Sequence, residues 1–318
     1  MRAAVIDRYG APDVVRVRHV ERPRPESDQV LLRVRASSVN PIDAKIRDGT
    51  MRFRHRRRFP MLLGFDASGV IVEAGSDVHD FHIGDLVLAR SDQPTGRACA
   101  EYLATSAATL ARKPATISHR EAAAMPLAGL TALQALRDDC QLRPGQHVLI
   151  VGASGGVGTY AVQVAKTLGA TVTAVCGPGN LDLVDGLGAD RLIDYTSEDV
   201  AGTDRRYDCI FDVVGSQRFR EAARSLTPEG RYAVTVPGPD AVWSMVAGNR
   251  LRRQKARFVM CKPRGSDLHL LADWARAGQV RSVIEHVYPL DEVAQAHRRI
   301  ETRRTRGKLV VDIAGDGG

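Results

Sequence analysis

The stretch "HVLIVGASGGVGTYAVQVAKTLGATVTAVC", residues His147 to Cys176, decides the fold. An uninterrupted apolar run breaks at glycines, resumes at helical spacing and meets a second apolar run. The first run, bounded by glycine, reads as a buried strand. In the segment after the break, Val157, Ala161, Val164, Ala165 and Leu168 share one helical face. Gly152, Gly155, Gly156 and Gly158 therefore occupy a strand-to-helix turn. Glycines let the backbone approach a ligand, while the unpaired amides and positive dipole end of the helix face negative charge. With a second strand about twenty residues on, this is the context of a dinucleotide pyrophosphate site.

Outward from that turn the chain has two textures. From Arg120 to about Lys262 strands and helices alternate: a helix around "SHREAAAMPLAGLTALQALRDD", then "HVLIVGA", "GVGTYAVQVAKTLG", "TVTAVC", "NLDLVDGLG", "RLIDY", "YDCIFDVVG", "SQRFREAARSL", "GRYAVTV" and "ARFVMC". Alternation at that spacing predicts βαβ units in a doubly wound parallel sheet. Before residue 120, short β-branched runs punctuated by Gly, Pro and Asp predict a β-rich, mostly antiparallel module. The tail offers a helix "DLHLLADWARAG", a strand "RSVIEHVYPL", a helix "LDEVAQAHRRIETRR" and a closing strand "GKLVVDI".

Composition narrows the function. At 318 residues the chain accommodates two domains of ordinary size. No window has the run of about 18 apolar residues that a membrane span needs, and "MRAAVIDRYG" lacks a signal-peptide core, so a cytoplasmic protein is expected. Five cysteines, none in a CxxC pair, predict reduced thiols rather than a disulfide framework. The net charge of +8 is carried by 39 arginines and only six lysines. Two clusters stand out, Arg52 to Phe59 and Asn249 to Arg257; both read as solvated basic faces, with an anionic substrate handle or an acidic carrier protein as the alternative. Neither has the interleaved aromatics of a single-strand binder, which argues against nucleic acid as the main ligand.

The end of the second strand selects the dinucleotide. A carboxylate there would bind the 2′-hydroxyl of NAD and repel a 2′-phosphate. The chain reads "AVCGPGN", with no acid before Asp182, so NADPH is expected. With no Arg or Lys there either, a phosphate would rest on amides from Gly177 to Asn180 and on Tyr195.

"SSVNPIDAKIRDG", "GFDASGVIVEAGSDV", "GDLVLA", "PLAGLTALQAL", "VGASGGVG", "LGADRLIDY", "FDVVG" and "GKLVVDI" together resemble the zinc-free quinone oxidoreductase branch of the medium-chain dehydrogenase/reductase superfamily. "NPIDAK" is most similar to its enone and alkenal reductases. The resemblance implies a Rossmann doubly wound parallel sheet, residues 123–263, inserted into a GroES-like β-barrel catalytic domain, residues 1–122 completed by 264–318. A homodimer is the expected assembly. In zinc-dependent relatives a cysteine stands at Asn40 and a His-Glu pair at Phe65 and Asp66, so no metal is expected; His79 and His82 are spaced like ligands but sit in a turn-like stretch before a strand.

Without a Lewis acid, conjugate reduction suits the site better than alcohol oxidation. The resemblance places Asn40 and Lys45 as donors near the nicotinamide, with Asp43 on the same loop; a turn-stabilising amide and a surface lysine are the plainer readings. Tyrosine often stands near the Lys45 position in relatives, which leaves the proton donor open. By the same resemblance Thr131 bonds the nicotinamide half, Ser154 and the amides of Gly155, Gly156 and Val157 hold pyrophosphate, and Val213, Val214, Val236 and Met260 line the nicotinamide, core packing being the equal alternative for these four. The expected activity is NADPH-dependent hydride transfer to the C=C bond of α,β-unsaturated carbonyls or to quinones. An enoyl reductase for carrier-bound or polyketide-type intermediates is the alternative, and a non-catalytic NADPH- or RNA-binding protein the alternative of another class.

Overall fold

The computed structural model describes residues 1–52, 59–198, 200, 205–236, 238, 241, 242, 245 and 253–314. Residues 53–58 and 249–252, which make up much of the two arginine clusters, lie outside them. The chain divides into two compact units, Met1–Leu127 with Pro263–Gly318, and Ala128–Lys262.

The second unit is built on six strands: β9 (His147–Val151), β10 (Thr171–Cys176), β11 (Arg191–Asp194), β12 (Tyr207–Asp212), β13 (Leu226–Val234) and β14 (Lys255–Phe258). Their order is β11-β10-β9-β12-β13-β14, every pair parallel. Four of the five residues of β9 are buried, as an apolar run in a parallel sheet requires. After β9 the chain passes first to β10 on one side and later to β12 on the other, so the order reverses at the carboxyl ends of β9 and β12. Helix α4 (Gly156–Thr167) follows β9 and buries Tyr160, Ala161, Val162, Val164 and Ala165.

The long helix expected before β9 is in fact interrupted. It forms α2 (His119–Ala124), then α3 (Pro126–Gln134), then a π-helical turn over Ala135–Asp139. Pro126 explains the break, since proline lacks the amide that would continue the ladder and restricts the residue before it. Ser118 and Glu121 start α2 with a reciprocal capping box. The expected helices after β10 and β12 shorten to α5 (Leu181–Asp185) and α6 (Phe219–Ala222).

The first unit carries β1 (Arg2–Ile6), β2 (Arg16–His19), β3 (Gln29–Val39), α1 (Pro41–Arg47), β4 (Met61–Leu62), β5 (Asp66–Ala74), β6 (Leu86–Arg90), β7 (Tyr102–Ser106), β8 (Leu110–Arg112), α7 (Gly265–Arg276), β15 (Ile284–Pro289), α8 (Val293–Glu301) and β16 (Lys308–Asp312). The strands form a small sheet β2-β1-β4 and a larger one, β15-β16-β3-β5-β6-β8, with β7 also on β3. All pairs except β15 with β16 are antiparallel. Val30, Leu32, Val34, Ile71, Val87, Leu309 and Val311 alternate inward to form one core. Two registers matter below: Ser38 lies opposite Asp66, and Leu309 lies opposite Val39. Together they bring the end of β3, the start of β5 and the start of β16 to one place.

Candidate active site

In the second unit the glycine turn has the shape of a cradle. Gly152 takes a φ of +83°, a conformation that side chains resist. A Cβ on Gly158 would stand 2.1 Å from the Gly152 carbonyl oxygen, so helix and turn touch backbone to backbone. A Cβ on Gly155 would meet only that oxygen, at 3.5 Å, and otherwise open space. The amides divide accordingly. Those of Gly152 and Ala153 donate to the Val175 carbonyl, and that of Gly155 donates to the Gly152 carbonyl at 3.2 Å. Of the amides expected to hold pyrophosphate, that of Gly155 is therefore spent on the turn. Those of Gly156 and Val157, in the first turn of α4, have no intrahelical acceptor.

The adjoining strand ends complete the cradle. The side chain of Val214 reaches to 2.4 Å of a Cβ built on Gly152, so the exposed Val214 sits against the glycine turn. Asp212 holds this loop: its buried carboxylate accepts from the amides of Val214, Gly215 and Gln217 at 2.7–3.0 Å and from the Tyr232 hydroxyl at 3.1 Å. Val236 and Met260, just past β13 and β14, are also exposed, which an apolar core role would not leave them. Beyond β10, Tyr195 packs on Gly177, its hydroxyl 3.4 Å from a Cβ placed there. The Asn180 amide closes its own turn on the Gly177 carbonyl, whereas a Cβ on Gly179 would meet nothing within 4 Å. Ser154 is half-buried in the turn and Thr131 is buried on α3.

In the first unit, three residues far apart in sequence form one buried network. The Lys308 ammonium donates to Asn40 Oδ1 and lies 3.4 Å from Asp66 Oδ2. Asn40 Nδ2 donates to Asp66 Oδ2 at 2.9 Å, and the Ser38 hydroxyl donates to the same oxygen at 2.5 Å. Asp66 Oδ1 accepts the Leu127 amide, in the first turn of α3, at 2.7 Å. All four side chains are buried. Burial lowers the pKa of Lys308, against the opposing pull of Asp66 and Asp43.

Asp43, expected beside Asn40 and Lys45 as a site group, is instead spent on structure. Its oxygens accept the Asn40 amide at 2.8 Å and the Gly64 amide at 3.1 Å, completing a capping box at the start of α1. Burial pushes its carboxyl up to about 7 despite those bonds. Lys45 is half-buried on α1, and no acceptor meets its ammonium among the described residues. Close by, the Ser68 hydroxyl pairs with His119 Nδ1 at 2.8 Å, and burial, with Lys113 and Arg35, holds that imidazole down to about 4.

Asp66 and Lys308 escaped the sequence reading as site residues. The signals were slight: an acid directly after Phe65, and one of only six lysines heading an apolar strand.

A glycine cradle at the switch point of an open parallel sheet is the place where doubly wound folds bind a dinucleotide, and the relatives of this chain are NAD(P)H-dependent oxidoreductases. Two family models match it, "Alcohol dehydrogenase GroES-like domain" over residues 26–126 and "Zinc-binding dehydrogenase" over residues 187–311. It is 34% identical over 301 residues to a chloroplast envelope quinone oxidoreductase homolog of Arabidopsis thaliana, covering 91% of each chain. It is 33% identical to the NADPH-dependent alkenal/one oxidoreductase, chloroplastic, of the same plant, covering 98% of this chain and 79% of that one. The structure of the quinone oxidoreductase from Coxiella burnetii superposes with a TM-score of 0.89 at 34% identity, covering 98% and 99% of the two chains. The chain belongs to the quinone oxidoreductase branch of the medium-chain dehydrogenase/reductase superfamily.

Zinc, named in one of those models, does not suit the residues present. Asn40 and Phe65 offer neither thiolate nor imidazole, and both oxygens of Asp66 are engaged by neighbours. Among the described residues no group of three or more His, Cys, Asp or Glu is placed to hold a metal ion, and His79 and His82 are exposed. No described helix is long and apolar enough to cross a membrane.

Proposed function

We propose that the protein reduces the C=C bond of α,β-unsaturated carbonyls, or quinones, with NADPH and without a metal ion. The observation that supports this reading is the buried Asn40–Asp66–Lys308 network, in which an amide, held by an ammonium and a carboxylate, stands at the position where the resemblance gives zinc-dependent relatives a cysteine. A reduced nicotinamide supplies a hydride. What the chain must add is a donor for the oxygen on which negative charge develops. The amide of Asn40 keeps one N–H without an acceptor among the described residues. It is the donor in this reading, and the Lys45 ammonium is a second donor available to the same oxygen. Asp43 acts only through α1, by holding the turn that presents both.

NADPH is favoured over NADH because β10 ends at Cys176 and the chain runs on through Gly177 with no acid before Asp182, so this segment sets no carboxylate against a 2′-phosphate. Tyr195 beside Gly177, with the open backbone at Gly179, offers that phosphate a hydroxyl and amides. The amides of Gly156 and Val157 with Ser154 hold the pyrophosphate, and Thr131, Val213, Val214, Val236 and Met260 are assigned to the nicotinamide half. Location in the cytoplasm and assembly as a homodimer belong to the same reading; Cys99, Cys140, Cys176 and Cys209 are free thiols, as a reducing compartment allows.

The test is an NADPH-oxidation screen over enones, enals, quinones and enoyl thioesters, with NADH in parallel. Turnover of an enone or quinone with NADPH is expected. Faster turnover of a carrier-linked thioester than of its free analogue would move the substrate to a carrier protein. Equal or better rates with NADH would overturn the cofactor, and no turnover in any arm would overturn the activity.

A further inference from the structure

We propose that Lys308 is a positioning residue: its buried ammonium, balanced by Asp66, locks the Asn40 side chain in one orientation and leaves a single amide N–H free to donate. The inference rests on the reading of Asn40 as the donor given above.

An asparagine amide is nearly symmetric in shape, so its orientation is decided by its neighbours. Here the neighbours carry opposite charges. Asn40 Oδ1 accepts from the Lys308 ammonium, and Nδ2 donates to the Asp66 carboxylate at 2.9 Å. Turning the amide over would set its oxygen against a carboxylate and its NH₂ against an ammonium, with both charges buried. Charge-assisted bonds of this kind are about twice as strong as neutral ones, so the flipped state is strongly disfavoured. One N–H is consumed by Asp66 and the other has no acceptor among the described residues.

The placement of Lys308 follows from strand register. Leu309 pairs with Val39, which sets Lys308 opposite Asn40, 268 residues away in sequence. The Asp66 carboxylate also accepts from Ser38 and from the Leu127 amide. It is therefore fixed from three sides before Lys308 is counted, and the ammonium has one site to occupy. A buried lysine is costly, and no other residue of the network needs its charge except Asp66.

Two readouts separate this inference from the function it rests on. The first is the Asn40 side-chain NH₂ signal in a ¹⁵N spectrum of the full-length protein, assigned by its loss in Asn40→Ala. In the wild type it should be a resolved pair with slow exchange. In Lys308→Met, and in the charge-balanced Lys308→Met/Asp66→Asn variant kept as a folding control, it should shift and exchange quickly. An Asn40 signal unchanged in both variants overturns the positioning role of Lys308. The second readout is NADPH turnover. Lys308→Met and Asn40→Ala should each lower kcat about 10- to 100-fold, with the KM for NADPH within about 3-fold of wild type. If the signal responds to Lys308→Met but Asn40→Ala turns over like wild type, the positioning stands and the donor reading of Asn40 fails.

Discussion

As the pH falls, His297 on α8 should cost this protein stability. The imidazole is 1% exposed, and its Nδ1 has no hydrogen-bond partner among the described residues. Burial first, and the Arg47 guanidinium second, hold its pKa down to about 3. An exposed histidine in the unfolded chain titrates near about 6.5. Between those values the unfolded chain binds the proton and the folded one does not. The contribution is fully present above about pH 6.5 and is lost as pH falls toward 3. At about 1.4 kcal/mol per pKa unit, the loss is about 2 kcal/mol at pH 5 and about 5 kcal/mol at pH 3. Asp43, whose folded carboxyl lies near 7, works the other way, its contribution falling as pH rises from about 4 to 7. The two are separated by comparing wild type with His297→Gln in urea melts from pH 8 to pH 5. The variant loses a constant amount from altered packing, and the slopes due to Asp43 and to His119, held down to about 4, are common to both proteins, so the stability difference should move by about 2 kcal/mol in favour of the variant between pH 8 and pH 5. If the stability difference between the two proteins is the same at pH 5 as at pH 8, His297 is not the titrating group and the reasoning fails.

Three further outcomes follow from named contacts. Gly158→Ala should weaken NADPH binding at least about 10-fold or prevent folding, because its methyl would stand 2.1 Å from a backbone oxygen that cannot step aside; Gly155→Ala should fold with unchanged melting temperature yet also bind NADPH more weakly, its methyl entering the cradle, and fluorescence titration checks both. Asp212→Ala removes the acceptor of three backbone amides and the Tyr232 hydroxyl, so a loss of about 3–5 kcal/mol is expected in denaturant melts, and retention of wild-type stability would count against its role in the Val213–Val214 loop. Arg47 is wholly buried, and its Nε and Nη1 have no partner among the described residues while Nη2 bonds Glu301, so Arg47→Met should be neutral or stabilising by about 1–2 kcal/mol in thermal unfolding.

The parallel-sheet unit and its glycine cradle could be read from sequence because their signals are local. A buried strand, a glycine turn and an amphipathic helix each lie within about one window of residues, and strand-to-helix alternation dictates parallel pairing. Capping, too, was within reach: Ser118 and Glu121 stand three residues apart. Where local signals competed, the reading erred, as at Pro126, where helical periodicity ran on through a residue that cannot sustain the ladder.

The buried network of the first unit was not legible in that way. Asn40, Asp66 and Lys308 have no sequence spacing that relates them; the resemblance marked only Asn40 as a donor. Asp43 looked like a functional acid because its burial, and the two backbone amides it accepts, are invisible until α1 is set against Gly64. A side chain's residue type declares which proton it could hold or share. Only strand register, which brings residue 308 against residue 40, determines which partner it meets, how dry that place is, and so which charge it keeps.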